Sequence, residues 1–331
     1  MSTRHTTSWF IGAVVVLIGA VALSLTVGAF TISLGDTMSW ILGRLPDNAL
    51  AGRVLEGVRL PRSLSAVVVG AALGVAGTTL QGLHRTPVID AHLIGMSAAS
   101  GLGVAVGYAF APHDLKVLAA VLLGVAVGAV YGVMSTRIGR PGGGATVLVL
   151  TGLATGLAMT AWTGLFVLAI DSPAVPTLSF FIFGSLATSG WTGLLIATAF
   201  VLTAVGILWW MAPGIDLLSL GEQVSIHLGL DARRRVPMAL AAVGVSVGAS
   251  VALGGVIGFI GLIVPLAIRP MLGVTHRVMI PASAIAGAIA VVLFDTAART
   301  LVAPIEIPIG LLTAAIGGPT LVWLIARERA T

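Results

Sequence analysis

"LLIATAFVLTAVGILWWM" (residues 194–211) holds eighteen residues without a single charge. As an α-helix at about 1.5 Å per residue it runs about 27 Å, close to the ~30 Å hydrocarbon core of a bilayer. No water is available there to satisfy backbone N–H and C=O groups, so a lipid-crossing segment of this kind must be helical. Just beyond it the character reverses. "LLSLGEQVSIHLGL" (217–230) and "DARRRV" (231–236) bring Glu222, His227, Asp231 and the run Arg233, Arg234, Arg235 into twenty positions.

The same alternation recurs along the chain. Of 331 residues, 57% are apolar and only 9% charged, and the mean hydropathy is +1.10. Soluble domains carry roughly 25% charged residues. The apolar runs predict spans at 9–30, 62–83, 91–111, 115–136, 144–169, 190–211, 237–257, 259–272, 278–299 and 308–326, with 259–272 short for a full crossing. The expected fold class is therefore an all-α polytopic membrane protein of about ten transmembrane helices, with residues 1–331 forming one transmembrane domain. Two segments between spans, 31–61 and 171–190, are expected on the outer face, the second broken by Pro173 and Pro176.

Orientation follows from the basic residues. With the N-terminus inside, eleven arginines fall inside and six basic residues outside. Both termini, and the polar segment of about 213–236, are then expected in the cytoplasm. The first apolar run is longer than the ~7–15-residue core of a signal peptide and reads as the first span. In such a chain the net charge of +5 reflects topology and not nucleic-acid binding.

Several function classes drop out. With no cysteine there is neither a disulfide framework nor a thiolate metal site. The phosphate-loop pattern G-x-x-x-x-G-K-[ST] and the zinc pair H-E-x-x-H are both missing. No metal site and no resident cofactor are expected. Ionisable residues deep in a span, the mark of ion-coupled carriers, are scarce. Asp295 and Arg299 stand one turn apart near a span end, where they can pair. An ion-coupled secondary transporter remains an alternative, but an external energy source suits the sequence better. Glycines at four-residue spacing (Gly70 and Gly74; Gly124, Gly128 and Gly132; Gly152 and Gly156; Gly244 and Gly248) predict close helix packing.

In the polar segment Leu217, Leu220, Val224 and Leu228 share helical spacing, and Gly229 offers a turn. A short amphipathic helix there could dock a partner protein; it could equally be a solvated connector whose arginines only set topology.

At these residues the chain resembles the FecCD-type permeases of bacterial ABC importers for iron chelates and vitamin B12. Besides 217–230, the blocks that carry the likeness are "RLPRSLSAVVVGAALGVAGTTLQG" (59–82), "GGVIGFIGLIVPLAIR" (254–269) and "DTAARTLVAPIEIPIGLLTAAIGGPTLVWLI" (295–325). The resemblance implies a type II ABC importer permease in the cell (inner) membrane, with several partners. These are a second permease copy or paralogue, two cytoplasmic ATPase subunits that hydrolyse the ATP, and a periplasmic or lipid-anchored binding protein. The chain would be no enzyme itself, and its cargo would be a chelated iron, foremost a ferric siderophore, with haem or cobalamin as alternatives. It further implies an ATPase-coupling loop of two short helices that uses Leu220, Gly221, Glu222, Leu228, Gly229, Asp231, Arg233, Arg234 and Arg235. Docking of the binding protein would fall to Arg59, Arg62 and Arg299, and the pathway and its gate to Thr86, Val88, Ala145, Thr146, Gly152 and Met159. The sequence departs from the family pattern at Thr86, Leu266, Thr275 and Thr320.

Overall fold

The computed structural model of the chain describes residues 3–28, 32–41, 49–110, 115–138, 144–169, 182–303 and 305–328. Every regular element among them is helical. The order is α1 (Thr3–Thr26), α2 (Leu34–Ile41), α3 (Ala49–Val54) with a π-helical turn Leu55–Arg59, α4 (Leu60–His84), α5 (Met96–Phe110), α6 (Leu115–Ile138) and α7 (Gly144–Ala169). Then follow α8 (Trp191–Ser219), α9 (Glu222–His227), α10 (Ala232–Gly254), α11 (Ile260–Leu272), α12 (His276–Ala298) and α13 (Ile309–Glu328). Among the described residues, six helices are long and apolar enough to cross a membrane, and three more apolar helices are shorter.

Each predicted span coincides with a helix, but the boundaries move. The helix α8 continues past residue 211 and through Pro213 to Ser219, so the first seven residues of the expected coupling segment are an extension of a span. The next helix begins at Ala232, not at 237, because the Asp231 carboxylate caps it by accepting the Arg233 N–H at 3.1 Å. The three arginines therefore form the first turn of α10, and only one short separate helix, α9, stands between the spans. Of the two outer segments, 32–41 and 49–59 supply α2, α3 and the π-turn, whose Ile32, Ala51 and Leu55 bury against Leu25 of α1. Residues 29–31, 42–48 and 170–181 lie outside the described ones.

At the centre stands α4, packed against α10, α11 and α12. Small residues allow this. A methyl on Gly70 or Gly74 would collide with the α12 backbone at Gly287 and Ser283, and one on Gly77 with Gly261 of α11. The Gly124–Gly128 and Gly244–Gly248 pairs face one another between α6 and α10: Gly124 and Gly244 each abut the other's carbonyl. Without a hydrophobic force between helices in lipid, such backbone contact supplies dispersion attraction over long stretches. Side-chain bonds add to it: Thr78 to Ser283, Ser246 to the Ala72 carbonyl at 3.2 Å, Gln81 to the Gly261 carbonyl at 3.2 Å, and Arg269 to Gln81 at 2.8 Å.

The thirteen residues of α11 cover only about 20 Å, so its N-terminus ends inside the bundle. Phe259 caps it from the left-handed region at φ +66°, and its backbone N–H donates to Asp90 at 3.1 Å.

Candidate functional site

Three places hold the residues singled out in the sequence. The first is the end of the bundle that carries α9. Glycine permits both turns that set α9 off, Gly221 at φ +121° and Gly229 at φ +82°. Between them Ser225 faces inward, while Leu220 (64%), Val224 (45%), Ile226 (56%) and Leu228 (59%) lie exposed. Arg233 and Arg234 follow in the first turn of α10, both exposed, and the surface pair Asp231–Arg234 at 3.3 Å adds little stability. Arg235 instead lies over the Trp210 ring at 5.0 Å. The backbone of Glu222 belongs to α9; its side chain is outside the described set.

Two contacts tie this end to the core. Arg85 closes α4 in the left-handed conformation (φ +53°), and its guanidinium lies over Gly221. Near the end of α8, Asp216 accepts the backbone N–H of His276 at 2.9 Å and meets its Nδ1 at 2.6 Å. The buried imidazole of His276 in turn sits against Gly82 of α4. The base of α9 is thus joined to the ends of both α4 and α12. Spacing could not reveal this pair, since sixty residues separate its members.

The second place is the connection 85–95 and the helix α7. Thr86 and Val88 are half-buried, with the Val88 N–H 3.4 Å from Thr86 Oγ1. Gly152 abuts Ile94, and Gly156 abuts Gly95, so the two elements named for the pathway are brought together. Met159 is half-buried one turn further along. Ala145 and Thr146 belong to the first turn of α7, with side chains outside the described ones.

Asp90 anchors this connection, and the sequence reading missed it. Its carboxylate accepts the N–H groups of Ala91 at 2.8 Å and Phe259 at 3.1 Å and is 4% exposed. It lies beside Gly261, which packs on α4 at Gly77, two turns in from His84. The expectation that ionisable groups are scarce at depth therefore has an exception here, and a structural one. Asp90 follows a helix by six residues, which in sequence looks like a loop, and only the inward fold of that loop buries it.

The third place is the opposite end, about 30 Å along α4. Arg59, Arg62 and Arg299 converge there, all buried. The Nε and Nη2 of Arg62 contact Asp295 Oδ1 at 2.9 Å each, and Nη1 grips both oxygens of Glu306 at 3.0 Å. Arg299 donates to Ser24 Oγ at 2.7 Å and lies 3.5 Å from Asp295, so the pairing one turn apart exists but is the longer of the two. Arg59 donates to the α1 carbonyls of Leu25 and Thr26. Asp295 is wholly buried, whereas the Glu306 side chain is 41% exposed. The cluster knits α1, α4 and α12 together, and neither Asp295–Arg62 nor Glu306–Arg62 was foreseeable from neighbouring positions.

Comparison with known proteins agrees with this architecture. The FecCD transport family profile matches residues 16–327. The hemin transport system permease HmuU of Yersinia pestis is 35% identical over 99% of this chain and 98% of its own length. The vitamin B12 import permease BtuC of Shigella boydii is 32% identical over 98% and 97%. The iron(3+)-hydroxamate import permease FhuB of Bacillus subtilis is 35% identical over 98% and 86%. Among solved structures, a metal-chelate type ABC transporter in an inward-facing conformation superposes with a TM-score of 0.81 at 29% identity, covering 96% of this chain and 98% of that one. A second, PsaBC from Streptococcus pneumoniae, shares the fold at a TM-score of 0.56. Matched over nearly its whole length, and all-helical as these permeases are, the chain belongs to the FecCD transport family: it is a membrane permease of an ABC importer, and ATP is hydrolysed by a separate subunit.

Proposed function

We propose that this permease imports an iron chelate, foremost a ferric siderophore, as one half of a permease dimer in the cell's inner membrane. Both termini and the α9 end face the cytoplasm; the Arg62 end faces outward. The observation that carries the coupling part is the exposed apolar patch of Leu220, Val224 and Leu228 on a short helix whose base is joined to α4 and α12. Such a patch on a membrane protein's aqueous end suits a protein partner, here the ATPase. Gly221 and Gly229 shape the helix, Glu222 begins it, and Asp231 and Arg233–Arg235 place charge just beyond it. When the ATPase pair closes it displaces α9, and the links through Arg85 and through Asp216–His276 pass that displacement to two core helices.

Cargo would pass between two copies along α7, past Gly152 and Met159, with Ala145, Thr146, Thr86 and Val88 near the inner gate. A binding protein would deliver it by setting carboxylates against Arg59, Arg62 and Arg299, since an arginine fork takes a carboxylate in two parallel bonds. The cargo itself is read from the relatives, which handle iron-hydroxamate, hemin and vitamin B12. Haem is the second reading, given the full-length likeness to a hemin permease. No resident cofactor is needed.

Reconstitution into proteoliposomes with ATPase and binding protein tests both parts. Uptake of ⁵⁵Fe-labelled hydroxamate chelate should depend on ATP and exceed that of hemin and cyanocobalamin; uptake of hemin alone would replace the cargo assignment. Replacing Leu228 with Glu should release the ATPase from the membrane, because a charge would be buried in the apolar contact. ATPase retention at the normal level would remove α9 from the coupling role.

A further inference from the structure

We propose that Glu306 is a resident stand-in for the carboxylate of the incoming binding protein and must leave Arg62 before that protein can dock. This rests on the docking reading above. The Arg62 guanidinium has two edges with different partners. Its Nε–Nη2 edge is committed to Asp295, which is wholly buried and has no route to water. Its Nη1 edge is taken by both oxygens of Glu306, whose side chain is 41% exposed. Glu306 lies in the non-helical stretch between α12 and α13, where the Ile307 N–H bonds the Ala298 carbonyl at 3.0 Å, so its backbone is anchored while its side chain stays free to turn away from Arg62.

A part-exposed carboxylate on a connecting segment, held through both oxygens by the one nitrogen of a buried arginine that Asp295 leaves open, occupies the place an incoming carboxylate would take. Seated on Arg62, Glu306 offsets one unit of the positive charge at this end, and its departure restores that unit. Departure of Glu306 opens the outward edge of Arg62 and strengthens the field that draws an acidic partner. While seated, Glu306 spares Arg62 an open edge and competes with the partner. Docking becomes an exchange of one carboxylate for another, which favours release once cargo has been handed over.

The test uses the reconstituted importer and its purified binding protein, with affinity measured by biolayer interferometry on nanodiscs. Glu306→Gln removes the competing charge and should tighten binding about three- to tenfold. Because the chain has no cysteine, Glu306→Cys supplies a single thiol. Unmodified it should bind as tightly as Glu306→Gln. Modification with anionic 2-sulfonatoethyl methanethiosulfonate should return the affinity to wild type, and the neutral methyl reagent should not. Arg62→Lys keeps a cation for Asp295 but lacks the second edge, and should weaken binding at least about tenfold. If Arg62→Lys binds normally, the docking reading falls. If it binds poorly while Glu306→Gln is unchanged or weaker than wild type, docking stands and the stand-in role is overturned.

Discussion

The helices α4 and α7 are both long, apolar and rich in glycine, and their surroundings are opposite. In the apolar stretch that includes α4, 78% of residues are buried within the chain; in that of α7, 11% are. Their hydroxyl groups differ in the same way. On α4, Ser63 bonds Ser24 of α1 at 2.7 Å and Thr78 bonds Ser283 of α12. On α7, Thr155, Thr160 and Thr163 each turn back to the carbonyl four residues earlier, at 2.8, 2.9 and 2.8 Å. A hydroxyl that bonds its own helix needs no neighbour, so α7 can present Leu153, Leu157, Leu165 and Leu168 to whatever lies beyond the chain. Apolarity thus marks both helices as membrane-borne, whereas the direction of their polar bonds separates the scaffold from the helix that faces lipid, a second copy or cargo.

That contrast can be broken most sharply at Gly70. Leucine there would have to displace the α12 backbone at Gly287, and loss of folded, monodisperse permease in detergent is expected. A monodisperse protein with wild-type thermal stability would mean that the α4–α12 contact is not the scaffold. Next in size is Asp295→Ala, which leaves Arg62 and Arg299 without their buried counter-charge and should cost about 3–5 kcal/mol in chemical unfolding. Asp90→Ala strips the acceptor from a buried and a part-buried backbone N–H group, at about 1–3 kcal/mol. The smallest effect on stability belongs to α7. Gly164 meets no other atom, so Gly164→Ala should shift unfolding by no more than about 1 kcal/mol, and in the stabilising direction if helix propensity decides. Unfolding of that variant would erase the distinction between the two helices.

Much of the fold could be read in advance because hydropathy is a local property. Every predicted span became a helix, and of the glycines read as packing devices Gly70, Gly74, Gly124, Gly128, Gly152, Gly156, Gly244 and Gly248 lie at close contacts, while the surroundings of Gly132 fall outside the described ones. The coupling segment was legible in outline, through Leu220, Val224, Leu228 and Gly229. Its expected second short helix was not found, since Asp231 caps α10 directly and nothing between Arg233 and Val236 interrupts it. Asp90, Glu306 and the Asp216–His276 pair escaped the reading. Each acts on a partner 60 to 244 residues away, and no spacing rule reaches so far.

By itself the sequence determined that this chain lives in a membrane, how many apolar runs it has, and where its one long polar connection lies. Those follow from the cost of taking charge and unpaired backbone into hydrocarbon, which each segment meets alone. Only the tertiary structure decided which helix is core and which is surface, and which carboxylate each arginine holds. Burial and ion pairing depend on helices distant in sequence arriving side by side, and small residues admit many such arrangements until the whole bundle selects one.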